Sequence, residues 1–99
     1  MKSSNIDQLI EIMSQLRHPE KGCPWDIDQD HQSIAHYSIE EAYELVAAIT
    51  KNDHENIKEE LGDLLLQVIF HSQIAKENNI FDFNDVIKTL SKKLITRHP

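Results

Sequence analysis

Apolar residues recur along most of this chain at alternating steps of three and four, the spacing that places them on one face of an α-helix. Ile6, Leu9, Ile10, Met13 and Leu16 form the first such stripe. Asn5, with Gln8 three residues on, reads as a capping-box-like start, so the pattern predicts a first helix ending near Arg17. Helical spacing resumes from about Ser33 through Ile39, Ala42, Val46 and Ile49, with Tyr37-Ser38 as a candidate break, until Thr50-Lys51-Asn52-Asp53 supplies a polar turn. A third stripe of Ile57, Leu61, Leu64, Leu65, Val68 and Ile69 opens on the capping pair Asn52 and Glu55 and runs to about Ala75. Val86, Ile87, Leu90, Leu94 and Ile95 define a last helix capped by Asp82 or Asn84, with Lys88, Lys92 and Lys93 on its wet side.

No alternating strand pattern, internal repeat or low-complexity tract interrupts this reading. The predicted class is all-α, a four-helix unit whose second and third helices lie antiparallel because so short a turn joins them. Between the first two helices, His18 to Asp30 holds two of the three prolines, one of the two glycines and the only tryptophan, and reads as a loop. Gly62 sits inside the third helix, where glycine costs about 1 kcal/mol relative to alanine. Close approach of a neighbouring backbone would explain it; simple tolerance is the alternative.

Length and composition limit what such a unit can be. At 99 residues the expectation is one domain over 1–99, and a hydrophobic fraction of 39% makes a marginal core for a monomer. Helices of this kind would bury one face against a second copy, giving a homodimer or a dimer of dimers. A net charge of −7 is the wrong sign for gripping a nucleic-acid polymer, and an anionic substrate would need a metal ion between it and the acids. Cys23 is the only cysteine, which rules out an intrachain disulfide and fits a reducing, cytoplasmic setting. No run approaches the ~20 apolar residues of a membrane span.

The acids carry the chemistry. The second helix has Glu40, Glu41 and Glu44, and the third has Glu59, Glu60 and Asp63. Glu41 with Glu44, and Glu60 with Asp63, lie three residues apart on one face of their helices. Across an antiparallel pair, all four carboxylates can converge on one point. Like charges so close repel, so convergence makes sense only with a cation, and an all-oxygen ligand set selects Mg²⁺ or Mn²⁺. A single Glu-Glu-x-x-Glu run more often means a solvated helix face. Two such pairs on consecutive helices, with Asp63 set among Leu61, Leu64, Leu65 and Leu66, argue against a wholly wet face.

A di-iron bundle would need Glu-x-x-His on two helices, and no glutamate here has histidine at that offset. His71 reads as a structural or partner-contacting residue. His18, His31, His36, His54 and His98 show no zinc spacing with one another or with Cys23, and read as loop and surface residues.

Four segments together resemble a known family. They are Leu16-Arg17-His18-Pro19-Glu20-Lys21-Gly22-Cys23-Pro24-Trp25-Asp26, Ile39-Glu40-Glu41-Ala42-Tyr43-Glu44, Glu59-Glu60-Leu61-Gly62-Asp63-Leu64-Leu65-Leu66-Gln67-Val68 and Lys93-Leu94-Ile95-Thr96-Arg97-His98-Pro99. In that order, over nearly the whole chain, they resemble the MazG nucleotide pyrophosphohydrolases. The resemblance implies an all-α pyrophosphatase that converts nucleoside triphosphates, NTP or dNTP, to monophosphate and pyrophosphate with Mg²⁺, in house-cleaning or control of the nucleotide pool. It implies metal ligation by Glu41, Glu44, Glu60 and Asp63. Glu40 would then support those ligands or act as the base that orients the attacking water.

The leaving pyrophosphate calls for fixed cations, for which Lys21, Arg17, Lys51, Lys92, Lys93 and Arg97 are available. Lys21 and Arg97 rank first because they lie in family-like segments. Trp25 would either stack on the base or anchor the Gly-Cys-Pro loop, the anchor being preferred. The family pattern usually continues beyond Arg-His-Pro, and many members carry two copies of the domain. The chain therefore reads as one MazG-like domain, an N-terminal copy or a fragment of a longer protein.

Three functions compete. A pyrophosphohydrolase would release pyrophosphate only with metal. A nucleotide-sensing or dimerisation domain of a larger MazG protein would be stabilised by nucleotide without turnover, and a purely structural bundle would respond to neither.

Overall fold

The computed structural model describes residues 4–97. Among them there are helices and no strands: α1 (Asn5–Leu16), α2 (Pro24–Ile27), α3 (His31–Thr50), α4 (His54–Glu77) and α5 (Phe83–Arg97). The all-α expectation holds. The four long helices stand where periodicity puts them, and the fifth, α2, is one turn inside the segment read as a loop. Four residues are too few to show a period; Pro24 at its start supplies the preset φ.

Helix ends differ from expectation by a residue or two. Ser4, not Asn5, caps α1, in a reciprocal box with Asp7. Asp30 caps α3 in the same way with Ser33, so that helix starts at His31 and runs unbroken through Tyr37-Ser38. Asp53, not Asn52, caps α4. Asn52 is already committed to ending α3: it adopts φ 55°, and the Asn52 and Asp53 N–H groups donate to Ile49 O and Ala48 O. Asn79, at φ 58°, closes α4 by the same motif, and its neighbour Ile80 donates to Ala75 O. Asp82 exchanges bonds with Asp85 at the start of α5.

α4 is the central element, packed on α3 along much of its length and on α1 and α5 toward its C-terminal half. The core is small. Met13 of α1, Ile34 of α3 and Ile69, Phe70 and Ile74 of α4 form the buried cluster, flanked by Ile6, Leu9, Ile10, Tyr37 and Phe83. Large apolar side chains remain outside it. Ile39, Tyr43, Val46 and Ile49 form an exposed stripe on α3, and Leu61, Leu65 and Val68 form another on α4. The Cα radius of gyration is 15.3 Å, against about 13 Å for a compact 100-residue domain. Gly62 has open space around it, so no backbone of this chain approaches it closely.

Candidate functional site

The three-residue link from α3 to α4 turns the chain back on itself, so residues equally far from it on the two helices face one another. Glu41, Glu60 and Asp63 are brought together in this way, each offering a carboxylate oxygen within 4.8 Å of the others. Glu41 and Glu60 are half-buried and Asp63 is exposed. The expected fourth member, Glu44, is not part of this close set. Three residues along a helix is short of a full turn, so Glu44 is rotated about 60° from Glu41. Its charge still reaches Glu41. Glu40, exposed and about 100° around the helix from Glu41, also lies outside the cluster.

The electrostatics fit a site waiting for positive charge. Burial pushes the Glu41 carboxyl above its ordinary range, and the charges of Asp63 and Glu60, a hydrogen bond with Glu60 and the charge of Glu44 push it further. Every group acting on Glu41 is an acid. An all-carboxylate donor set of this kind suits a hard divalent cation.

One helical turn farther from the link, the same face becomes an aromatic groove of about 320 Å³. Tyr37 precedes Glu41 by four residues and Gln67 follows Asp63 by four, so acids and groove are successive turns of one surface. Trp25 projects over it from α2, edge-on to Tyr37 at 6.2 Å and to Phe70 at 6.3 Å. Its ring is therefore anchored, as preferred from sequence. At 51% exposure it also keeps an open surface for stacking. Tyr37, Gln67 and Phe70 are not identified as groove residues from sequence, although the spacings Ile34-Tyr37-Glu41 and Asp63-Gln67-Phe70 carry the signal.

The basic candidates separate. Lys21 and Arg97 are exposed, as are Lys51, Lys92 and Lys93, and none of the five forms an ion pair among the described residues. Arg17 corrects the expectation of a phosphate-binding role. Its side chain is 8% exposed, its Nε and Nη2 donate to Glu77 at 2.8 and 2.9 Å, and Nη1 donates to the carbonyls of Asp26 and Gln29. It serves the fold. The loop around it is held by Gly22, where a Cβ would stand 2.7 and 2.8 Å from His18 O and N.

His31 is likewise no simple surface residue, because it meets His71 across the α3–α4 interface. Cys23 is a free, half-buried thiol. His98 and Pro99, the end of the last family-like segment, lie outside the described residues. No helix among the described residues is long and apolar enough to cross a membrane.

Comparison with known proteins bears on this geometry. Residues 29–99 match the MazG nucleotide pyrophosphohydrolase domain. The chain is 54% identical to the nucleoside triphosphate pyrophosphohydrolase/pyrophosphatase MazG of Thermotoga maritima, aligning over 100% of its own length and 39% of that protein. It is 50% identical to the nucleoside triphosphate pyrophosphohydrolase of Escherichia coli K12, over 97% of its own length and 36% of the relative. The chain thus spans less than two fifths of the length of either.

Proposed function

The chain belongs to the MazG nucleotide pyrophosphohydrolase family, and from that premise we propose that it hydrolyses nucleoside triphosphates, NTP or dNTP, to monophosphate and pyrophosphate. The observation that carries the proposal is the convergence of Glu41, Glu60 and Asp63 within 4.8 Å, with no basic neighbour acting on Glu41. In the proposal these three hold Mg²⁺, or Mn²⁺ in its place, with Glu44 completing the set from the next turn of α3. A divalent cation so held would bridge phosphate oxygens, offset the acidic face and lower the pKa of bound water.

The chain's own groups do the rest. The α3–α4 hairpin fixes the three carboxylates on two rigid helices, so ordering them costs little when substrate arrives. Glu40, the acid next to Glu41 on α3, supports those ligands or orients the attacking water. The groove under Trp25 accepts the nucleoside. Stacking on an aromatic face is tolerant of base identity, which supports broad specificity and a house-cleaning role in the nucleotide pool. Lys21 and Arg97 remain the cations proposed for the departing pyrophosphate.

The same proposal includes a second copy of the chain. The exposed stripe Ile39-Tyr43-Val46-Ile49 lies on the side of α3 away from Glu41, and a homodimer, or a dimer of dimers, would remove it from water without covering the acids. A cytoplasmic location accords with the free thiol of Cys23.

The test is to incubate the chain with a panel of NTPs and dNTPs, with and without Mg²⁺, and to measure pyrophosphate and monophosphate. Equal release of both, only with metal, is the expected result. Nucleotide-dependent stabilisation without either product would replace hydrolysis with sensing.

A further inference from the structure

Arg17 is more heavily committed than a surface arginine needs to be. It ends α1, yet its guanidinium reaches the last turn of α4 and two carbonyls of the 18–30 segment at once. The fork to Glu77 is two-pronged, at 2.8 and 2.9 Å. The opposite edge donates to Asp26 O, next to Trp25, and to Gln29 O. Gln29 in turn donates from its side chain to Trp25 O at 2.8 Å. The guanidinium carbon lies 5.4 Å from the centroid of the Phe70 ring, the ring Trp25 meets at 90°. Apart from the Glu77 fork, which anchors the guanidinium to α4, these contacts gather on the backbone around Trp25 and on the ring that Trp25 packs against.

We propose that Arg17, gripped by Glu77, is a positioning residue that sets the Trp25 ring over the groove beside the acid cluster. This rests on the reading that the groove takes the nucleoside. α2 is one turn long and cannot hold its own orientation. The Cys23 side chain at its start makes no capping bond, and α2 meets α4 through the Trp25–Phe70 ring contact and through Arg17, which also binds Glu77. A planar five-donor fork can hold a carboxylate with one edge and two carbonyls with the other, whereas a lysine ammonium cannot span those acceptors in one geometry. Arg17 therefore governs how well the nucleoside is held and leaves the phosphorus chemistry at Glu41, Glu60 and Asp63 alone.

Trp25 is the only tryptophan, so its emission reports its own placement. The experiment compares wild type, Arg17→Lys and Glu77→Gln, with Trp25→Ala alone and combined with Arg17→Lys. Thermal unfolding, tryptophan emission and iodide quenching are measured without nucleotide, and kcat and KM with Mg²⁺ and NTP. Folded Arg17→Lys and Glu77→Gln are expected to show red-shifted, more quenchable emission and a KM raised roughly tenfold with kcat nearly unchanged. In the Trp25→Ala background, Arg17→Lys should raise KM no further. Unchanged emission in both folded single variants would overturn the proposal, as would a full additional rise in KM in the double variant. If Arg17→Lys does not fold, Glu77→Gln decides by the same measures. Should wild type lack turnover, the hydrolase reading fails, while nucleotide-free emission still decides whether Arg17 places Trp25.

Discussion

The imidazoles of His31 and His71 meet Nδ1 to Nδ1 at 2.7 Å, with ring planes 9° apart and centroids separated by 5.0 Å. Each centroid sits slightly less than a bond length from its nitrogen, so these distances close only if the rings lie edge to edge, nearly in one plane. One nitrogen must donate to the lone pair of the other, which requires the two rings to hold different tautomers. Adding a proton to both destroys the bond and places two charges together.

That geometry sets a pH dependence. Burial, and then the neighbouring His31, hold the His71 pKa below its ordinary value of 6.5. On acidification the unfolded chain takes its proton first, so stability is expected to fall as pH drops below about 6.5 and to level off once the lower folded-state value is passed. Urea midpoints between pH 7.5 and 5.5 measure this. His71→Asn should flatten the slope in that interval, and a slope identical to wild type would refute the assignment.

Acid-cluster variants should separate activity from stability. Asp63→Asn and Glu60→Gln are expected to lower turnover on the order of 100-fold or more. Glu44→Gln, outside the 4.8 Å set, should cost less. Without metal the order reverses. Glu41 binds its proton more tightly in the folded chain, so the folded state loses stability as pH rises through that raised value. Removing the charge of Asp63 or Glu60 should therefore raise the unfolding temperature at neutral pH without Mg²⁺. Added Mg²⁺ should raise that of wild type and leave Asp63→Asn unmoved; equal shifts in both would move the metal elsewhere.

Gly22 should tolerate no side chain. A methyl group there meets backbone atoms of His18, not the end of a flexible side chain, so Gly22→Ala is expected to destabilise by about 1–3 kcal/mol. Denaturant unfolding checks it, and an unchanged midpoint would show that the loop moves freely.

Tyr43 is 72% exposed at the centre of the bare α3 stripe. Sedimentation of wild type is expected at twice the 11.5 kDa chain mass or more, and Tyr43→Lys should shift it to the single-chain value. A monomeric wild type would remove the second copy from the proposal.

Much of this architecture is legible in the sequence because one period dominates it. The stripes through Met13, Val46 and Ile69 identify the helices, and the short turn after Thr50 identifies α3 and α4 as neighbours, bringing Glu41, Glu60 and Asp63 together. Misreadings arise where residues of equal aptitude stand side by side. Asn52 and Asp53 can both cap α4, but only one of them can also take the left-handed conformation that ends α3, and asparagine does so more readily. Glu44 is displaced because a three-residue step is not a whole turn. Arg17 was misassigned for a different reason: its partner Glu77 is far away in sequence, and no local pattern connects them.

The acid cluster belongs entirely to one helical hairpin closed by a three-residue turn. Contacts so near in sequence form early in folding, because closing a short loop forfeits little chain entropy. The carboxylates must therefore meet while the rest of the molecule is still assembling, and their repulsion falls on the barrier to folding, not only on the finished state. A divalent cation held there as proposed is expected to speed the zippering of α3 against α4 and to alter the unfolding rate much less.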